Sequence, residues 1–154
     1  MPSKTNRKYK HIPHDGEVFQ LRLDTMPDPM QMLRGNGYGC DPTGWKYVGK
    51  AGVVGTHRFK LVRIEDYCHN IDEVRQHLGE ENIPEGVWRE AFERKYPRSD
   101  GKGPIGFADT SWVTPDGKGL CFPVLHATVP GWVKYFDHAC GDHGKEWRWL
   151  VEAK

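Results

Sequence analysis

The sequence has no long hydrophobic run and no apolar segment behind its basic N-terminus. A membrane-spanning helix needs roughly 20 consecutive apolar residues, and a secretory signal needs an apolar stretch after its basic residues. Neither pattern occurs in the 154 residues. We therefore predict a soluble, cytoplasmic protein without a membrane partner.

Cysteine is scarce and scattered. The four cysteines are Cys40, Cys68, Cys121 and Cys140, and no two of them form a Cys-x-x-Cys pair. The spacing typical of disulfide-rich secreted domains or of structural zinc modules is therefore missing. We expect free thiols in a chain that is long enough to bury a core without covalent or metal cross-links.

No complete motif for a known reaction is present. Residues 44–51 have the glycine and lysine spacing of a phosphate-binding P-loop, but Ala51 stands where Ser or Thr is required. Residues 35–39 lack the third glycine position of a dinucleotide-binding fingerprint. Cys68 and His69 are adjacent, so in a strand their side chains point apart and form no catalytic pair. The sequence does not identify a catalysed reaction.

The formal net charge is only +1, but the charges are unevenly distributed. Residues 1–10 contain four basic side chains and no acid: Lys4, Arg7, Lys8 and Lys10. This start predicts a flexible basic arm over residues 1–16, followed by a single domain over residues 17–154. Contact of residues 1–10 with the phosphates of nucleic acid is one alternative function.

Alternating apolar residues predict a mainly antiparallel sheet of about six strands. Good strand patterns occur at 17–24, 57–64, 105–113, 120–129, 132–136 and 147–151, with a short additional one at 45–48. Residues 114–119 have the Pro and Gly positions of a hairpin turn, so the last four strands are predicted to form a meander. The rest of 26–55 is rich in Gly and Pro and is expected to be an irregular loop.

Two helices are predicted within residues 70–96. Asn70 and Glu73 have the spacing of a capping box, and Gly79 suits the end of the first helix. Trp88 and Phe92 belong to an apolar stripe on the second helix. We expect an α+β fold in which this two-helix insertion packs on one face of the sheet. A DNA-reading helix-turn-helix is disfavoured, because residues 65–96 carry nine acidic and only four basic side chains.

We call the irregular segment within residues 26–55 the glycine-rich loop. It contains the aromatic residues Tyr38, Trp45 and Tyr47. Tyr and Trp are enriched in interface hot spots, and glycine lets a loop follow the surface of a partner. We therefore predict a binding protein that recognises a macromolecule, namely another protein, through these three side chains. No cofactor is required by this interpretation.

Residues 137–144 concentrate metal-ligand chemistry between two predicted strands. His138, Cys140 and His143 supply the nitrogen and sulfur donors that zinc prefers. Asp142 or Asp109 would then assist a bound water, which gives a metal-dependent hydrolase or nuclease as the other alternative. Against it, the spacing matches no standard zinc module, and a fourth ligand must come from elsewhere.

Overall fold

The computed structural model describes residues 10–34, 41–128 and 131–154. In chain order the elements are β1 (Phe19–Leu23), α1 (Pro29–Arg34), β2 (Lys46–Tyr47), β3 (Gly55–Val62), α2 (Ile71–Leu78), a 3₁₀ turn (Glu80–Asn82), α3 (Trp88–Lys95), β4 (Gly103–Gly106), β5 (Trp112–Val113), β6 (Leu120–Ala127), β7 (Trp132–His138) and β8 (Arg148–Glu152). Strands predominate over helices, as expected for the predicted α+β class.

The strands of the described residues form one sheet in the order β1-β3-β8-β4-β6-β5-β2, and β7 pairs with the other side of β6. Adjacent strands are antiparallel except for β4 and β8, which run parallel. The predicted strand 105–113 is in fact two strands, β4 and β5. This is one reason why the sheet has eight strands and not about six. The predicted C-terminal meander is also wrong, because β8 inserts between β3 and β4 instead of lying beside β7.

The sheet has a helix layer on each face. We call the two faces of the sheet A and B. The core on face A contains residues of α1 and α3 packed against side chains such as Leu125 and Leu150. The other core, on face B, contains residues of α2 packed against their strand neighbours Val124 and Trp149. The prediction that both helices pack on one face is therefore wrong. The physical reason is that β6 and β8 are buried on both sides, so each face must be covered.

The two predicted helices are present, and so are the cap and the apolar stripe that predicted them. Asn70 Oδ1 accepts a hydrogen bond from the Glu73 amide at 3.0 Å, and Glu73 Oε1 accepts one from the His69 amide at 3.1 Å. Trp88 and Phe92 are buried in the face A core, which confirms that their stripe packs on the sheet. The additional helix α1 begins after Asp28, whose carboxylate caps the Met30 amide in a region predicted to be irregular.

Part of the predicted N-terminal arm packs against the sheet. The Gly16 amide donates to the Leu61 carbonyl at 2.8 Å, and Pro13 is buried. The predicted contact with nucleic acid involves residues 1–10, and of these the structure describes only Lys10. In the described ranges no helix combines the length and apolar character needed to cross a membrane.

Candidate functional site

The glycine-rich loop is anchored to the core by the aromatic side chains that the sequence singled out. Trp45 and Tyr47 are partly buried and pack against the face A core. The rings of Tyr47 and Trp112 lie 4.9 Å apart between centroids. Tyr38, the third predicted contact residue, lies outside the described residues. The aromatic residues therefore hold the loop in position, and other side chains of the loop face solvent.

The solvent-facing side chains lie on the opposite side of the same strands. Register pairs Lys46 with Val113, and Val113 with Leu120, so these three side chains share one face. Val48 follows Lys46 by two residues and extends the pairing, since its amide donates to the Ser111 carbonyl at 2.8 Å. Val48 is 66% exposed and Leu120 is 44% exposed. We call Lys46, Val48, Val113 and Leu120 the open β2 face.

The loop beside this face has a fixed shape and a positive charge. Gly44 adopts φ +83°, and a Cβ there would lie 3.0 Å from a side-chain atom of Pro115, so this position favours glycine strongly. Tyr47 donates from its hydroxyl to the Lys50 carbonyl at 2.8 Å, which closes the turn between them. Residues 43–55 contain Lys46 and Lys50 and no acidic residue.

A small polar recess lies beneath the loop. The Asp109 carboxylate accepts hydrogen bonds from the Ser111 hydroxyl and, at 2.8 Å, from the Gly86 amide. Burial raises the pKa of Asp109, although both of these hydrogen bonds favour the charged form. Burial, followed by the charges of Asp109 and Glu85, also raises the pKa of Tyr47 to about 12. The recess has a volume of about 140 Å³, which suits a few water molecules rather than an organic substrate.

The three predicted metal ligands point to different places. His138 Nδ1 lies 3.6 Å from Cys121 Sγ on the neighbouring strand, and Cys140 is exposed. His143 is buried, with its ring centroid 4.6 Å from that of Trp147. Among the described residues, which include all of 137–144, no three His, Cys, Asp or Glu side chains are grouped to hold a metal ion. The predicted ligand set is therefore not assembled in this structure.

Of the two aspartates in that loop, Asp137 lies beside His143, whereas Asp142 and Asp109 have partners outside the predicted ligand set. Asp137 Oδ2 lies 3.4 Å from His143 Nε2, and the Asp142 carboxylate accepts a hydrogen bond from the Tyr67 hydroxyl. This hydrogen bond lowers the pKa of Asp142 and raises that of Tyr67. Asp109 belongs to the recess under the glycine-rich loop, so the loop at 137–144 and Asp109 do not form one site.

A larger cleft, which no sequence pattern predicted, lies at the end of the sheet where β3 ends and β4 and β8 begin. Arg63, Asp100 and Arg148 meet there, together with the segment 11–17. These residues are widely separated in the sequence and match no motif, so only the fold brings them together.

Comparisons of the chain with protein-family models, with curated proteins and with solved structures found no match.

Proposed function

We propose that this chain is a binding protein and that the open β2 face docks a protein partner whose surface is apolar and acidic. The observation that carries the proposal is the placement of Val48 and Leu120, two strongly exposed apolar side chains, on one face of register-linked strands. Covering each of them would contribute about 1 kcal/mol to association, because apolar surface is removed from water.

The rigidity of this surface supports the same function. Tyr47 is packed on Trp112, and the Val48 amide is tied to Ser111, so the loop is already ordered before a partner arrives. A preformed surface loses less conformational entropy on binding than a mobile one does. Trp45 and Tyr47, two of the residues predicted as contacts, thus serve the interface by positioning their neighbours.

Charge complementarity supports an acidic partner. Lys46 belongs to the open β2 face, and Lys50 lies close by in the same loop, with its Nζ 3.7 Å from Glu85 Oε2. Both lysines are exposed, but Glu85 partly offsets the charge of Lys50, so Lys46 supplies most of the positive charge beside the apolar contact. Such charges steer an acidic protein to the surface more than they strengthen the final complex.

The test compares capture of partners from a native lysate by the immobilised full chain and by its variants. Val48→Asp and Leu120→Asp each place a negative charge in the apolar contact, so both are expected to lose the captured protein. Val18→Asp is the matched control, because Val18 is 47% exposed and precedes β1, away from the open β2 face. The captured protein is then purified, and its dissociation constant is expected to rise about tenfold or more with Val48→Asp.

A protein retained equally by the wild type and by all three variants would contradict the proposal, as would a lysate from which the wild type captures nothing. Circular dichroism of each variant must match that of the wild type, since Val48, Leu120 and Val18 are all exposed and their substitution leaves the cores untouched.

A further inference from the structure

The cleft at the end of the sheet is large enough to hold a small molecule. Its volume is about 830 Å³, within the range of roughly 300–1,000 Å³ that small-molecule sites occupy. Its polar lining comes from the segment 11–17, from Arg63, from Asp100 and Lys102 before β4, and from Arg148 at the start of β8. The cleft is built from other residues than those of the open β2 face.

Arg148 has more hydrogen-bond donors than its partners satisfy. This residue is only 2% exposed, and its Nη1 and Nη2 donate to the Asp100 carboxylate at 2.6 and 3.1 Å. Nη2 also lies 3.4 Å from the Gly103 carbonyl. The buried Nε, however, has no acceptor. A buried donor without a partner is unfavourable, so an acceptor that reached Nε from the cleft would be stabilised.

The carboxylates that line the cleft already have partners inside the protein. Asp15 accepts from Arg63 Nε at 2.7 Å, and Glu17 accepts from the His14 amide at 3.0 Å. Burial raises the pKa of Asp100, but the hydrogen bonds from Arg148 and from the Lys102 amide outweigh it, so the pKa is lowered overall. Formal charges in the lining cancel when the histidines are neutral. Glu17 keeps its negative charge, since its partner is an uncharged amide. An anion would therefore be held by the unpaired donors and not by net charge.

The rim of the cleft adds donors that are held in place. Lys102, His11 and His14 are exposed; the ammonium of Lys102 carries three N–H donors, and each neutral imidazole carries one. The two histidines flank Ile12, which packs against the face A core, and Pro13, which is buried. This anchoring fixes the backbone on either side of the two histidines at the rim.

From this surplus of donors we propose that the cleft binds the phosphate group of a small organic phosphate. Lys102 and the two histidines contact the phosphate oxygens at the rim, and Arg148 faces them from below. A phosphate group accepts several hydrogen bonds at once and is well matched to Arg and Lys donors. The volume of the cleft leaves room for the organic part of the molecule.

The test is isothermal titration calorimetry on the full chain at constant ionic strength. Glucose 6-phosphate, adenosine monophosphate, inorganic phosphate and malonate are the probes. At least one organic phosphate is expected to bind more tightly than inorganic phosphate and malonate. Lys102→Met should weaken that binding about tenfold, because a charge-assisted hydrogen bond is lost. Lys118→Met is the matched control, since this exposed lysine lies in the turn at the opposite end of β6 and should leave binding unchanged.

The proposal is overturned if neither organic phosphate binds, or if malonate binds as tightly as they do. If inorganic phosphate binds as tightly as the organic phosphates do, the inference that the ligand carries an organic group is wrong. An equal loss in the Lys102→Met and Lys118→Met variants would mean that the anion is held by general surface charge instead of by the cleft. Capture of a protein partner by the open β2 face is independent of all these outcomes.

Discussion

Gly106 shows how a single residue fixes the contact between two central strands. It is the register partner of Trp149, and a Cβ at this position would lie 2.6 Å from the Cε3 atom of the Trp149 ring. That ring has no room to retreat, because Trp149 is buried and stacked on Trp147 at 5.1 Å between centroids. Close packing of this kind transmits strain instead of absorbing it.

Gly106→Ala is therefore expected to lower the free energy of unfolding by about 1–3 kcal/mol through overpacking. Urea denaturation followed by tryptophan fluorescence measures the change. Gly131→Ala is the control, because a Cβ there would meet nothing within 4 Å, and its effect should stay within about 0.5 kcal/mol. Equal midpoints for Gly106→Ala and the wild type would show that the ring moves without cost.

At the scale of an element, the start of α2 depends on one side chain. Asn70 is in an extended conformation and satisfies the Glu73 amide, which has no partner within the helix. Asn70→Ala should lower the free energy of unfolding by about 1 kcal/mol, whereas Asn70→Asp keeps the acceptor and should lie close to the wild type. Chemical denaturation of the three proteins checks this, and equal losses for both variants would show that the cap hydrogen bond is not responsible.

The elements that the sequence predicted correctly are those with local causes. The cap at Asn70 and the stripe of Trp88 and Phe92 depend on neighbours within a few residues, so the pattern alone predicts them. The side of the sheet on which each helix packs has no such cause, because an apolar stripe fits either face. The short strand β5 has only two residues, too few for a periodic signal.

At the scale of the whole molecule, the central position of β8 could not be predicted because it depends on pairing with distant strands. β8 joins β3 to β4, although β3 ends at Val62 and β4 begins at Gly103. The same pairing brings Arg148 to Asp100 and so creates the cleft. The glycine-rich loop is recognisable from the sequence because its composition is local, whereas the cleft is not, because it is assembled from distant segments by the topology of the sheet.

Removal of β8 is therefore expected to unfold the chain, although β8 lies close to the C-terminal end of the sequence. A chain that stops at Glu146 loses the ladders to both β3 and β4. It also loses Trp149 and Val151 from the face B core and Leu150 from the face A core. At roughly 2–3 kcal/mol for each buried side chain, the loss is comparable with the 5–15 kcal/mol that stabilise a typical domain.

Near-ultraviolet circular dichroism and urea denaturation measure this effect. The shortened chain should lack the near-ultraviolet signal of packed tryptophan side chains, and it should show no cooperative unfolding transition. Deletion of the exposed Lys154 alone is the control, and it should retain both. A cooperative transition in the chain that stops at Glu146 would mean that β3 and β4 close the sheet without β8. In that case the two cores would be less interdependent than their shared strand implies.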